Sequence, residues 1–322
     1  MNAFTNRRYG SEDVLKLEEL PIPEPNDNEV LIRVHATSVN AADWHLLRAE
    51  PFIMRFMEGF SKPKTYILGA DVAGKVETVG KNVTSFKPGD EVYGDLSGNG
   101  FGGFAEYACA IERALAHKPA NLSYEEAAAI PLAAITALQA LRIAEIKAGK
   151  KVLINGASGG VGSFAVQIAK AYETEVTAVC SSRNVEQSRG LGADHVIDYT
   201  KEDFTQNGQH YDLIVGANGY HPLSHYKRAL AENGRYVVVG GQYKQMFGAM
   251  FFGWYYSLFG SKKFRVFVAK PTRADLLFLK DLAEQNKLKP VISHKFKFDQ
   301  IPEAVRQVYT GHSPGKVVIN IV

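Results

Sequence analysis

Apolar and polar positions alternate along NEVLIRVHATSVN (28–40) in the manner of a half-buried strand. DVAGKVETVG (71–80) and DEVYG (90–94) read the same way, with turn residues between them. Pro21, Pro23 and Pro25 keep the approach to the first strand out of a helix, and KPGD (87–90) is a Pro-Gly turn. The texture changes at Asn121. SYEEAAAIPLAAITALQALRIA (123–144) opens with Ser123 as N-cap and Glu126 three residues on, a capping box, and then runs with helical apolar spacing. Short apolar strands follow between helical segments: KVLIN (151–155), EVTAVC (175–180), HVID (195–198), DLIVG (212–216), RYVVVG (235–240) and FRVFV (264–268). Six strands with intervening helices predict an α/β fold with a doubly wound parallel sheet. The chain closes with a helix at about 272–286 and strands ISHKFKF (292–298) and KVVINI (316–321). The economical layout is a β-rich domain in two parts, 1–122 and 269–322, split around an inserted α/β domain at 123–268.

The turn after the first of the six strands carries the first candidate chemistry. It reads Asn155-Gly156-Ala157-Ser158-Gly159-Gly160-Val161-Gly162 and leads directly into a helical pattern. Glycine permits the tight bend and lets a pyrophosphate approach the main chain, and the first N–H groups of the helix face the anion. Ala157, Ser158, Gly159, Gly160 and Val161 are therefore the predicted phosphate contacts. NAD-binding chains place an Asp or Glu about 20 residues further on, to hold the ribose 2′-hydroxyl. Here that region is Cys180-Ser181-Ser182-Arg183-Asn184, with no acid. Ser181 and Arg183 can donate to a 2′-phosphate that a carboxylate would repel, so the expected cofactor is NADPH. The alternative is that Arg183 merely begins a solvated helix.

These strings, with ILGADVAGKVETVG (67–80), GGFAEYA (102–108), LGADHVIDY (191–199) and PGKVVINI (314–321), resemble the medium-chain dehydrogenase/reductase superfamily over nearly the whole chain. Within it the chain is similar to the zinc-independent quinone oxidoreductases and enone (alkenal) reductases. The resemblance implies a Rossmann domain inserted in a GroES-like catalytic domain. Where the zinc-bearing branch has a catalytic cysteine this chain has Asn40, and where that branch reads Gly-His-Glu this chain reads Gly69-Ala70-Asp71. A four-cysteine lobe is ruled out because the chain has 2 cysteines, Cys109 and Cys180. The expectation is no zinc. Without a Lewis acid, an alcohol or simple ketone loses a stabilisation of several kcal/mol. A quinone or the C=C bond of an α,β-unsaturated carbonyl needs less help. The short-chain alternative fails, because no tyrosine has a lysine four residues on.

By the same resemblance Asn40 lies near the nicotinamide, on its ribose or the substrate carbonyl, with a loop-capping asparagine as the alternative. Asp43 is either catalytic or a structural carboxylate. His45 is the candidate proton donor, with solvent as its rival. Thr136, Tyr199, Val268 and Lys316 are further cofactor contacts the resemblance implies, and it also implies a homodimer; Asn218, Gly240 and Gly241 are added because they lie at carboxyl ends of strands, where a doubly wound sheet binds its ligand.

Composition excludes other classes. At 322 residues, 46% hydrophobic and 22% charged, with a net charge of +3, the chain has the make-up of a soluble two-domain protein with no nucleic-acid surface. No apolar h-region opens the N-terminus, no stretch approaches the roughly 20 apolar residues of a membrane span, and two cysteines suit a reducing compartment, so a cytoplasmic location is expected. PFIMRFMEGF (51–60) and FGAMFFGWYYSLFG (247–260) are expected as helices packed at a cleft or subunit contact. Lining a pocket for a lipophilic substrate is the second reading, and peripheral membrane contact is set aside. The function expected is NADPH-dependent reduction of a quinone or enone; the rival is a non-enzymatic NADPH-binding regulator of the same fold. A zinc alcohol dehydrogenase is the third reading.

Overall fold

A computed structural model describes residues 1–322 apart from Phe259, His312 and the side chain of Met57. Phe259 and the Met57 side chain belong to the two apolar stretches noted above and lie outside the described residues.

The chain runs β1 (Asn2–Thr5), β2 (Lys16–Glu19), β3 (Glu29–Val39), α1 (Ala41–Arg48), α2 (Met54–Glu58), β4 (Asp71–Val79), β5 (Glu91–Asp95), β6 (Tyr107–Ile111), β7 (Leu115–His117) and α3 (Tyr124–Ala128). It continues through α4 (Pro131–Ile143), β8 (Lys151–Asn155), α5 (Gly160–Ala171), β9 (Glu175–Cys180), α6 (Val185–Gly190), β10 (His195–Asp198), β11 (Tyr211–Gly216), α7 (Leu223–Ala229), β12 (Leu230–Val238), α8 (Tyr243–Leu258) and β13 (Lys263–Val266). It ends with α9 (Arg273–Glu284), β14 (Ile292–Lys297), α10 (Ile301–Tyr309) and β15 (Lys316–Asn320).

Two compact units result. The first comprises Met1–Leu132, Lys270–Glu284 and Ile292–Val322, and the second Ala133–Ala269 and Gln285–Val291. In the first, a seven-stranded sheet has the order β14-β15-β3-β4-β5-β7, with β6 also on β3. β3 has partners β15, β4 and β6, so it is buried at most positions and not only on one face as alternation suggested. Val30, Ile32, Val34, Val72, Val92 and Leu115 fill one core. Leu47, Leu68, Phe104, Ile301, Val317 and Ile319 fill another.

The division at Leu132/Ala133 lies inside α4, ten residues beyond the boundary read from the sequence. The single helix expected over 123–144 is two. Ser123 Oγ caps α3 by accepting the Glu126 N–H at 3.2 Å, and the Glu126 carboxylate accepts the Ser123 N–H at 2.9 Å. Pro131 lacks an N–H and crowds the preceding turn, so the helix stops and restarts there. Residues 270–284 belong to the first unit, where the buried Tyr93 hydroxyl donates to the Leu276 carbonyl of α9 at 2.6 Å.

The second unit holds six parallel strands in the order β10-β9-β8-β11-β12-β13. Strand order reverses between β8 and β11, whose carboxyl ends pair as Asn155 with Gly216. In a doubly wound sheet a ligand crevice opens outside such a switch point. Leu153, Ile214, Tyr226, Tyr236 and Phe264 form the core of this unit.

The two apolar stretches do form helices, but neither is buried within the chain. Phe52, Ile53, Phe56 and Phe60 around α2 are exposed. On α8 the buried positions are Gln245, Ala249, Gly253 and Ser257, four apart, while Phe251, Phe252, Trp254, Tyr255 and Leu258 are exposed. Small side chains let α8 lie close on its own unit, which turns the aromatic face outward. No described helix is long and apolar enough to cross a membrane.

Replacing Tyr93 by Phe leaves the packing of its ring and removes one buried hydrogen bond. We expect unfolding free energy to fall by about 1 kcal/mol, with faster hydrogen exchange in 273–284. Unchanged denaturant midpoint and exchange would mean that this bond does not fasten α9.

Candidate active site

In the second unit the glycine turn sits at the switch point. Gly156 has φ +86°, and a Cβ there would stand 2.7 Å from the Asn218 nitrogen. A Cβ on Gly162 would stand 2.0 Å from the Gly156 carbonyl oxygen, so the first turn of α5 lies directly on the loop. Gly159 is the N-cap of α5 with no side-chain cap, and no acid occupies the first turn. The N-terminal N–H groups and positive dipole end of α5 therefore suit an anion. Asn218 follows β11, and its N–H donates to Asn155 O at 3.1 Å; Gly240 and Gly241 follow β12 and approach Ala217 and Gly219.

At the end of β9, Asn184 Nδ2 donates to Ser158 Oγ at 3.0 Å and to Ser181 Oγ at 3.3 Å, joining the glycine turn to the next strand's loop. Arg183 is exposed, and no carboxylate pairs with it among the described residues. One acid that sequence reading passed over does stand nearby. Asp198 ends β10 and pairs in register with Cys180. Hydroxyl donors hold it at about 2, Ser182 Oγ at 2.5 Å and Thr200 Oγ1 at 2.7 Å, and Lys201 Nζ lies 3.6 Å away. Tyr199, beside it, is exposed, and its backbone N–H donates to Cys180 O at 3.0 Å. Val268 is 85% exposed, two residues past β13, and Thr136 is buried in α4. Ser158, Ser181, Asn218, Gly240 and Gly241 thus gather at one end of the sheet. Among the described residues no hydrogen bond links Val268 to them.

In the first unit the sequence candidates Asn40 and Lys316 meet in a buried polar cluster. Lys316 opens β15, is 3% exposed, and places Nζ 2.5 Å from Asn40 Oδ1 and 3.3 Å from Asp71 Oδ2. Asn40 Nδ2 donates to the same Asp71 oxygen at 2.8 Å, and the Ser38 hydroxyl donates to it as well. The other oxygen, Oδ1, accepts the Leu132 N–H at the start of α4 at 2.8 Å. Asp71 is fully buried and is the hub of the cluster. Sequence reading used it only to mark a lost zinc motif; Ser38 and Asp71 give no local signal of their meeting.

Asp43 lies below this cluster. Its two oxygens accept the Asn40 N–H at 2.7 Å and the Gly69 N–H at 2.9 Å, which fastens the start of α1 to the Gly69 turn. A carboxylate with both oxygens on buried backbone is a positioning group. Burial pushes its carboxyl up to about 7 against those two N–H donors, with Asp71 adding to the rise. Asp95, also buried, is pushed up to about 7 by desolvation and then by Asp71. His45 is half-buried on α1, its ring against Trp44 at a centroid distance of 3.6 Å, and Nδ1 lies 2.7 Å from the Glu50 carbonyl. A carbonyl only accepts, so Nδ1 carries the hydrogen. Desolvation lowers the pKa of the ring, and the neutral ring then offers an unprotonated Nε2. That form is an acceptor, which weighs against His45 as proton donor.

Residues 26–120 match the family described as "Alcohol dehydrogenase GroES-like domain", and residues 191–319 that described as "Zinc-binding dehydrogenase". The chloroplastic quinone-oxidoreductase QR1 of Triphysaria versicolor is 37% identical over 95% of this chain and 93% of its own length. The chloroplastic NADPH-dependent alkenal/one oxidoreductase of Arabidopsis thaliana is 34% identical over 99% of this chain and 79% of its own. The solved structure of the quinone oxidoreductase from Coxiella burnetii superposes with a TM-score of 0.89 at 31% identity, over 100% of this chain and 99% of that one. The chain belongs to the medium-chain dehydrogenase/reductase superfamily, in its quinone and enone reductase branch. It is an oxidoreductase.

The two raised carboxyls give a pH signature. Each holds a proton in the folded state that the unfolded chain has released above about pH 4, so their contribution to stability is complete below that value. It is lost as pH rises through about 7. We expect these two groups' contribution to the unfolding free energy to decline between roughly pH 4 and roughly pH 7, and Asp95→Asn to remove part of that decline relative to the parent. Denaturant melts across that range check it; an unaltered slope in Asp95→Asn would refute the assignment.

Proposed function

We propose that this protein is an NADPH-dependent reductase of quinones or of the C=C bond of α,β-unsaturated carbonyls, working without zinc. The observation that carries the reading is the Lys316–Asn40–Asp71 cluster. By resemblance Asn40 occupies the position of the zinc branch's cysteine ligand, and here its amide is engaged at both ends, by an ammonium and a carboxylate. A cation already stands 2.5 Å from the side chain that would have to receive a metal. Ala70 offers no donor at the neighbouring ligand position. Charge developing on a quinone or enone oxygen is delocalised, so the chain need not supply a Lewis acid.

The second unit fits the coenzyme. The Gly156–Gly162 turn brings two backbone segments closer than any Cβ permits, which leaves main-chain N–H groups to take the pyrophosphate. Ser181 and Arg183 would hold the 2′-phosphate, with Asn184 fixing Ser181 against Ser158. When bound, the nicotinamide supplies a hydride equivalent. Asp43 and the Asp71 cluster fix the entrance of α1, and with His45 held as an acceptor the proton of the product comes from solvent. In this reading the protein is a cytoplasmic homodimer, and the two cysteines, neither in a disulfide, fit a reducing compartment.

Initial rates of NADPH and NADH oxidation with a panel of enones and quinones test the proposal. Turnover is expected with NADPH and to survive dialysis against a chelator. Arg183→Ala should cut the preference for NADPH over NADH by roughly 10- to 100-fold, mainly through KM. NADPH binding without turnover of any acceptor would favour a non-enzymatic role and refute this one.

A further inference from the structure

A second cluster of chemically competent side chains lies in the parallel-sheet unit, away from the glycine turn. Asp203 stands in the loop between β10 and β11, and His221 and His225 flank the start of α7 with a spacing of four. All three are half-buried, and a carboxylate oxygen of Asp203 and one ring nitrogen from each histidine lie within 4.8 Å of one another. Among the described residues no hydrogen bond or ion pair joins Asp203 to either imidazole. Three donors therefore surround a gap without closing it.

Each is also held in place from behind. The Asp203 carboxylate accepts the Thr205 N–H and hydroxyl, both at 2.8 Å, on one oxygen and Gln206 Nε2 at 2.8 Å on the other. The His221 N–H is fixed to Gln245 Oε1 at 3.0 Å, and its ring meets Phe204 and Tyr226 edge-on at 5.0 and 5.8 Å. His225 Nδ1 is 3.5 Å from Thr205 Oγ1. Arg228 ties the same loop to α7 through the Thr205 carbonyl at 2.8 Å, so the loop and helix already share one fastening.

We infer that Asp203, His221 and His225 bind a first-row divalent cation of the zinc class. Two imidazoles and one carboxylate suit zinc, cobalt, nickel or copper and not magnesium or calcium. Metal–nitrogen and metal–oxygen bonds near 2.0–2.2 Å place ligand atoms about 3.3 Å apart in a tetrahedron, so three donors within 4.8 Å of one another close by at most about 1.5 Å. Three protein ligands leave a fourth position for water. The ion would pin the 200–210 loop to α7. Its loss takes no group from the proposed reaction centre, so this inference stands or falls separately from the reductase reading.

The test uses the full chain, stripped by a chelator, freed of it, and titrated with Zn(II) and Co(II). One equivalent of zinc is expected to bind and raise Tm, with a cobalt absorption spectrum of a four- or five-coordinate site. His221→Gln, His225→Gln and Asp203→Asn should each weaken binding at least tenfold, by about the factor that even indirect ligand support carries. His195→Gln serves as control, since His195 is an exposed imidazole beside Glu175. Circular dichroism establishes that each variant is folded. Non-saturable binding, or equal affinity in the control and the folded His221 and His225 variants, would overturn the assignment.

Discussion

The first unit is organised around a buried charge that must be answered. An ammonium taken from water costs several kcal/mol even after the protein relaxes, and only close partners offset that cost. Lys316 finds Asn40 and Asp71, and Asp71 in turn accepts from Ser38, Asn40 and the N–H of Leu132. Four residues from three other segments, Ser38 and Asn40, Leu132, and Lys316, are thus held to the one carboxylate of Asp71. Removing a single member would strand a charge or a polar group, which is why the cluster has so little freedom. The low-dielectric surroundings also make nearby carboxyls resist ionisation, as Asp43 and Asp95 do.

The parallel-sheet unit was largely legible because its signals are local. Strands such as KVLIN and EVTAVC are short continuous apolar runs, as expected where both faces are covered, and the glycine turn sits between a strand and a helix. Reading failed where a distant partner decides. β12 begins at Leu230, five residues before the apolar run that announced it, because pairing with β11 extends it. β1, β2, β6 and β7 are too short, or too irregular in pattern, to stand out alone. The helix expected through Pro131 breaks there for a reason visible in the sequence, the missing N–H, which the apolar spacing on both sides outweighed.

The candidate site divides in the same way. Ser158, Ser181 and Asn218 could be placed from spacing and strand ends, and the structure adds Asn184 as the tie between two of them. The cluster around Asp71 could not, since Ser38, Asp71 and Lys316 are separated by 33 and 245 residues and meet only through sheet register. Asp43 and His45 illustrate a different limit. Residue type and position made both plausible acid–base groups, whereas hydrogen-bond geometry turns one toward backbone N–H groups and the other into an acceptor. Chemistry there depends on which atom already has a partner, and no pattern of residue types carries that.

Lys316 follows Asp71 by 245 residues, yet it supplies the positive charge for a centre whose other members lie within the first 132 residues. During synthesis the parallel-sheet unit, nearly all of it in 133–269, is translated in full while that centre still lacks its counter-charge. The N-terminal strands emerge first but remain electrostatically unbalanced until residue 316 has been added. A ribosome that stalls before residue 316 would hold a chain whose parallel-sheet unit has been made and whose Asp71 has no ammonium to close around.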